Sequence, residues 1–377
     1  MSASKTNVKW EKIGNLIEPF DNRNIKSLNY PFYGINKDKT FMPTVADTNN
    51  LDRSKYKVVN EGDFVFSGMQ TGRDICIRIA LYDKTEPIII SPAYTTFKII
   101  NKNELLPEYF FIQFNRFEMD RYGWFLSDGS IRSNLDWDRF CDIKIPLPPI
   151  EVQQELVDTY NGLKSLAEQN EALIEPLSKA CEALTIKCLT QSNIKKEKVG
   201  NLITFYEKVN VSGLELPIYG INKNKTFMPT VADTNNLNKA KYKLVGKNIF
   251  AFSGMQTGRD VCIRIAYMED DREFLISPAY TTFKLNDLSK ILPQFFFILF
   301  CRFEMDRLGW FLSDGSIRSN LDLERFCDIE IPLPPIEVQQ SIVNLYHCME
   351  EAKKIASEAR EKLKEICPAL IQKAIHQ

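Results

Sequence analysis

YGINKDKTFMPTVADTNNL, residues 33–51, returns as YGINKNKTFMPTVADTNNL at residues 219–237. Working outward, FSGMQTGRD at Phe66 recurs at Phe252, SPAYTTFK at Ser91 recurs at Ser277, and IPLPPIEVQQ at Ile145 recurs at Ile331. The offset is 186 residues throughout, without a gap from Tyr33 to Gln154, and 87 of those 122 positions are identical. EKIGNLI at Glu11 and EKVGNLI at Glu197 extend the match towards the N-terminus. A unit this long is a whole domain with a connector rather than a solenoid repeat. The chain of 377 residues is therefore two copies of one module.

Each module reads as a globular part followed by a long helix. Short strand-like runs occur at Phe64–Phe66, Ile75–Ala80, Ile88–Ile90 and Thr95–Ile100. Phe110, Phe111, Phe114 and Phe117 fall at helical spacing and predict one helix from Pro107 to about Arg121, with these rings in the core and Gly123 on its C-terminal side. A short helix near Leu135–Phe140 then leads into the strand DIKIPLPP.

Beyond it, steps of four and three residues land on Val152, Leu156, Thr159, Leu163, Leu166, Asn170, Leu173, Leu177, Ala180 and Leu184. Their equivalents are Val338, Ile342, Leu345, Met349, Ala352, Ala356, Ala359, Leu363, Ile366 and Leu370. Eighteen of these twenty are apolar, a heptad seam. Two such helices separated by a domain predict an antiparallel coiled coil about 50 Å long at about 1.5 Å per residue. Asn170 is a candidate register-setting residue, and Pro176 should kink the first helix one turn earlier. The expected fold class is α+β, with two similar α/β domains in pseudo-two-fold arrangement, joined by two long helices forming an antiparallel coiled coil. The expected boundaries are 1–150 and 193–336 for the domains, and 151–192 and 337–377 for the helices.

Composition narrows the function. With 44% hydrophobic and 26% charged residues the chain is globular, and its longest apolar run, Phe295 to Cys301, is far short of a membrane span. No signal-like segment is visible, so a cytoplasmic location is expected. Nine cysteines without a CxxC pair read as buried hydrophobes in a reducing compartment. His347 and His376 are the only histidines, which disfavours a zinc hydrolase or a Ser-His-Asp enzyme. No phosphate-binding GxxxxGK[ST] loop exists, and Pro148-Pro149-Ile150 lacks the aromatic that seats a base in amino-methyltransferases. Pro107-Glu108 has no downstream acid-x-Lys at nuclease spacing. No catalytic residue, metal ligand or cofactor site is therefore expected.

Net charge is −1, but the first helical segment carries −4 and the second is neutral, which leaves +3 on the globular parts. A protein with two inverted, equal grips suits duplex DNA, and a spacer of about 50 Å matches roughly 14 base pairs at about 3.4 Å each. Three loop segments offer the chemistry. The first is Ser67-Gly68-Met69-Gln70-Thr71-Gly72-Arg73, with its copy Ser253, Met255, Gln256, Thr257 and Arg259: Gln pairs with adenine, Arg with guanine or phosphate. A plain structural turn would also account for it. The second is SDGSIRSN, with Ser130, Arg132 and Asn134 and their copies Ser316, Arg318 and Asn320. Here a turn with Ser133 or Asn134 as helix cap is the alternative. The third is the lysine pair Lys37 and Lys39, with Lys223 and Lys225, suited to the DNA backbone or simply to a solvated loop. The copies differ most at Leu81–Ile89 against Tyr267–Leu275 and at Ile99–Leu105 against Leu285–Ile291, which we take as positions that do not read sequence.

With IPLPPIEVQQ leading into a long helix twice, at Ile145 and Ile331, the chain resembles the specificity subunit of type I restriction-modification systems. The resemblance spans essentially the whole chain. It implies a DNA-reading subunit, itself non-catalytic, that joins two adenine methyltransferase subunits and, for cleavage, restriction-translocase subunits. S-adenosylmethionine is then expected in the methyltransferase partner, and the helices serve as spacer and docking surface. Family members usually carry two dissimilar recognition domains; here the loops are nearly identical, which implies a target with two like halves in inverted orientation. A coiled-coil scaffold gripping protein, and a recognition subunit serving a solitary methyltransferase, are the rival readings.

Overall fold

The structure, a computed structural model, describes residues 8–45, 47–191, 194–230 and 237–376. The side chains of Leu189 and residues 366–376 lie outside that description, and with them the seam positions Ile366 and Leu370; so does the stretch 231–236 of the repeat. The chain divides into two compact units, residues 1–170 with 355–377 and residues 171–354.

The first unit runs β1 (Lys9–Lys12), β2 (Ile17–Phe20), β3 (Phe32–Ile35), β4 (Phe41–Pro43), β5 (Lys57–Val59) and β6 (Phe64–Ser67). A helical turn α1 (Thr71–Asp74), β7 (Arg78–Leu81), β8 (Ile88–Ile90) and β9 (Thr95–Ile99) follow. The unit continues through α2 (Pro107–Phe114), α3 (Phe117–Leu126), α4 (Trp137–Asp142) and β10 (Lys144–Leu147) into the long helix α5 (Ile150–Thr190). One sheet has the order β2-β9-β6-β7, antiparallel throughout; the other has the order β4-β3-β8-β5. Within it β8 runs parallel to β3 and antiparallel to β5. Ile88, Ile89 and Ile90 are all buried, as an interior strand covered on both faces requires. β1 closes antiparallel on β10, Lys9 opposite Leu147.

The second unit repeats this order with strands Ile203–Phe205, Thr281–Leu285, Phe250–Ser253 and Arg264–Tyr267 in one sheet. Phe227–Pro229, Ile218–Ile221, Phe274–Ile276 and Lys243–Val245 form the other. In each unit a cluster of phenylalanines fixes the first sheet against the helices. Phe64 stacks on Phe97 at 5.0 Å, and Phe140 stacks on Phe66 at 4.4 Å; Phe250 on Phe283 and Phe252 on Phe326 repeat this at 5.2 and 4.1 Å. Such contacts add to the area these rings bury.

Three local expectations change. The helix from Pro107 is two helices, because Arg116 is extended (φ −101°, ψ 135°), so α3 starts anew at Phe117 and leaves that ring 65% exposed rather than in the core. The strand expected from Ile75 begins at Arg78; α1 precedes it and Ile75 itself is left-handed at φ 48°. Asp136, not Ser133 or Asn134, caps the short helix α4, accepting from Arg139 N–H.

The long helices are α5 and Ile336–His376. In the second unit Cys181, Leu184 and Cys188 pack with Val338, Ile342, Leu345 and Tyr346. One cleft there brings Ser178 and Cys181 to Met349 and Lys353, and another brings Cys188 and Gln191 to Ile336 and Val338. Rising numbers on one helix meet falling numbers on the other, so the pairing in this unit is antiparallel. The second helix uses its expected seam: Ile342, Met349, Ala352, Ala356, Ala359 and Leu363 are buried. In α5 the expected Leu166 and Leu173 are instead 44% and 51% exposed, while Ala167 and Cys181, each one residue past the expected Leu166 and Ala180, are buried. The spacing of four and three is kept, but alternate seam positions move on by one residue. The helix continues through Pro176, which removes one backbone donor without ending it. Asn170 donates to Leu166 O of its own helix at 2.8 Å rather than setting register across the pair.

Candidate nucleic-acid interface

The loop after β6 and the loop after α3 are stitched into one body. Leu135 N–H donates to Gly68 O at 2.9 Å and Gly72 N–H to Ser133 O at 2.8 Å. Gln70 N–H donates to Asn134 Oδ1 at 2.9 Å. The approach is so close that a Cβ on Gly68 would sit 1.7 Å from Leu135 O, and one on Gly72 2.0 Å from Ser133 Oγ. Glycine is therefore required at both positions by contact rather than by φ. Gln70 and Ser133 are themselves left-handed, at φ 60° and 51°. The second loop folds around Asp128, whose Oδ1 accepts from Ser130 Oγ at 2.5 Å, Ser130 N–H at 3.1 Å and Asn134 N–H at 3.0 Å. Those donors hold its carboxyl below the ordinary value.

A charged cluster frames the first loop. The Asp74 side chain is 6% exposed and takes Arg73 Nε at 3.1 Å, Lys37 Nζ at 3.4 Å and a close contact from Arg78. Burial works against its charge, but Arg73, Arg78 and Lys37 outweigh it, and its pKa lies below the usual value. Arg73 also donates to Gln70 Oε1 at 2.7 Å, so the Gln-Arg pair is held in one orientation. Both Arg73 and Lys37 keep more than half of their side-chain surface exposed.

The second unit reproduces this contact by contact. Leu321 N–H reaches Gly254 O at 2.9 Å, Gly258 N–H reaches Ser319 O at 2.8 Å, and Gln256 N–H reaches Asn320 Oδ1 at 2.9 Å. Arg259 donates to Gln256 Oε1 at 3.0 Å, Asp260 gathers Arg259, Lys223 and Arg264, and Asp314 organises its loop as Asp128 does.

The family model described as "Type I restriction modification DNA specificity domain" matches twice, over residues 9–179 and 181–366. The chain belongs to that family. It is similar to the putative type I restriction enzyme MjaX specificity subunit of Methanocaldococcus jannaschii, 21% identical over 358 residues, covering 86% of this chain and 80% of that protein. In fold it matches the type I restriction-modification S subunit from M. genitalium, with a TM-score of 0.63 at 14% identity over 100% of this chain and 98% of that one. The protein is a type I specificity subunit with two specificity domains.

For this specificity subunit, the expected site residues sort by exposure. Met69, Gln70, Arg73, Ser130, Arg132 and Lys37 lie at or near the surface, as do Met255, Gln256, Arg259, Ser316, Arg318 and Lys223. Arg132 and Arg318 make no ion pair among the described residues. Others are corrected. Lys39 and Lys225 are buried, not backbone-facing: Lys39 Nζ binds Asp120 Oδ2 at 2.7 Å, and Lys225 Nζ binds Asp306 at 2.5 Å and Ile263 O at 2.9 Å. Thr71 and Thr257 are fully buried, each donating to a glycine carbonyl at 3.0 Å, and Ser67 and Ser253 lie inside their strands. Asn134 and Asn320 spend their side-chain oxygens on the first loop, each accepting from the glutamine N–H.

Sequence reasoning missed Asp74 and Asp128 as organisers, and missed the exposed rings Trp124 and Phe125 with their copies Trp310 and Phe311. Trp124 lies against Gly72: a Cβ there would stand 3.1 Å from the indole. The signal lay in the wholly unchanged stretch from Gly123 to Leu135, matched at Gly309 to Leu321. Among the described residues no group of His, Cys, Asp and Glu is placed to hold a metal ion, and no helix is long and apolar enough to cross a membrane.

Proposed function

We propose that this specificity subunit reads duplex DNA through the Gln70–Arg73 loop and the Ser130–Arg132 loop of one domain and through Gln256–Arg259 and Ser316–Arg318 of the other. The target is bipartite, with two like halves in inverted orientation. The observation that carries this reading is the identity of the stitched loops: the same residues, held by the same hydrogen bonds, occur in both domains. Two equal readers on one chain suit two equal half-sites. The segments that differ most between the copies, Leu81–Ile89 against Tyr267–Leu275 and Ile99–Leu105 against Leu285–Ile291, take no part in these hydrogen bonds.

Within the complex, the subunit positions adenine-N6 methyltransferase subunits, which carry S-adenosylmethionine, and restriction subunits on the bound site; this chain contributes no catalytic step of its own. Comparing methylated adenines across the host genome with and without the gene tests the proposal. A self-complementary, interrupted motif that vanishes on deletion is expected. Persistence of every motif would overturn the reading, and loss of a non-palindromic one would overturn the equal halves.

A further inference from the structure

Ile131 and Ile317 are the most exposed large apolar residues described, at 100% and 99% of their full surface. Each stands at the tip of the SDGSIRSN loop, between an exposed serine and an exposed arginine. The tip does not float. Asp128 gathers Ser130 and Asn134 beneath it, and Ser133 O takes Gly72 N–H, so the isoleucine is fixed relative to Gln70 and Arg73. The second copy keeps every one of these bonds. A bare isoleucine on a rigid tip gains nothing within the fold. Arg132 beside it, Arg73 on the joined loop and Lys37, which pairs with Asp74 from the turn between β3 and β4, are cations suited to phosphates around an apolar centre.

Resting on the reading above, we propose that Ile131 and Ile317 are wedges that insert between neighbouring base pairs, one in each half-site, and kink the duplex there. Apolar side chains inserted between base steps in this way unstack the step and bend the helix. Full exposure favours insertion over a thymine-methyl contact. A methyl group covers one face of the side chain, whereas a base step covers it all round. Ile25 and Val211 are similarly bare, at 81% and 82%, but their loops close on Asn24 and Asn210 without a bond to the readers, and they serve as controls.

The test uses the full chain and the duplex it enriches from a random-sequence library, with 2-aminopurine walked through each half-site. For the wild type a several-fold rise in fluorescence at one step per half-site is expected. Because a self-complementary duplex binds in either orientation, Ile131→Ala should roughly halve the rise at both steps, and the double variant should abolish it, with affinity falling about tenfold. Ile131→Leu should retain it, and Ile25→Ala with Val211→Ala should match the wild type. Specific binding without any rise would overturn the wedge while leaving the reading intact. So would a loss that tracks only replacement of thymine by deoxyuracil, which marks a methyl contact, or equal losses in the controls. Failure to enrich any sequence would sink the reading itself. Thermal unfolding of each variant should match the wild type, since the side chain touches nothing in the fold.

Discussion

Gly68 and Gly254 sit where two backbones meet, and the 1.7 Å left for a Cβ beside the carbonyl of Leu135 or Leu321 admits no side chain at either position. Gly68→Ala must push the two loops apart and break the Leu135 and Gly72 hydrogen bonds. We expect a loss upward of about 3 kcal/mol, the range of severe backbone clashes, measured by chemical unfolding. Asp128 acts by charge. Its carboxyl is depressed by the Ser130 hydroxyl and the N–H groups of Asn134 and Ser130, so its contribution is fully present above the ordinary carboxylate range near about 4. That contribution is lost as pH falls through the lower folded value. Hydrogen exchange at residues 127–134 should therefore speed up in acid, and Asp128→Asn should remove that pH dependence. Unchanged exchange in the wild type down to the acid limit would contradict it.

Among the elements, α5 shows what a pattern of residues can and cannot say. Periodicity alone located both long helices and the seam of the second, because leucine, methionine and alanine there recur with no rival stripe. In α5, Leu166 and Leu173 compete with Ala167 and Ile174 one residue later, and hydrophobicity favours the bulky leucines. Burial falls otherwise: on α5 the buried residues include Ala167 and Cys181, while Leu166 and Leu173 are exposed. Cys181→Asp should therefore lower the melting temperature by several degrees, whereas Leu173→Asp should change stability by no more than about 0.5 kcal/mol. The reverse order would restore the seam expected from sequence. The same limit governs the smaller elements. Ile88–Ile90 was plain because three β-branched residues in a row have few other uses. Phe117 was misplaced because Asn115-Arg116 carries no breaker such as proline or glycine. That break depends on tertiary contacts, among them the hydrogen bond from Asn115 Nδ2 to Tyr160 Oη at 3.1 Å. Lys39 and Lys37 look alike as letters two positions apart. Only the fold turns Lys39 inward, at φ 59°, onto Asp120, 81 residues away.

For the molecule entire, duplication turns a question about DNA into one about equivalence. If the domains read like halves of a self-complementary target, the two half-sites are interchangeable by rotating the duplex. Arg73→Ala and Arg259→Ala should then be indistinguishable. Each should cost about 1–3 kcal/mol of discrimination, the worth of one bidentate base contact, and should relax the same base pair of the motif. The double variant should cost nearly twice as much, because the arginines lie in separate units and share no partner. Selection from a random duplex library, read by sequencing the bound fraction for each variant, measures all three. Relaxation at different bases in the two single variants would mean that the halves are unlike despite matching loops, and the segments that diverged between the copies would then carry the difference. An equal, sequence-independent loss would instead assign both arginines to phosphates, with a shallower dependence of binding on salt as its companion sign.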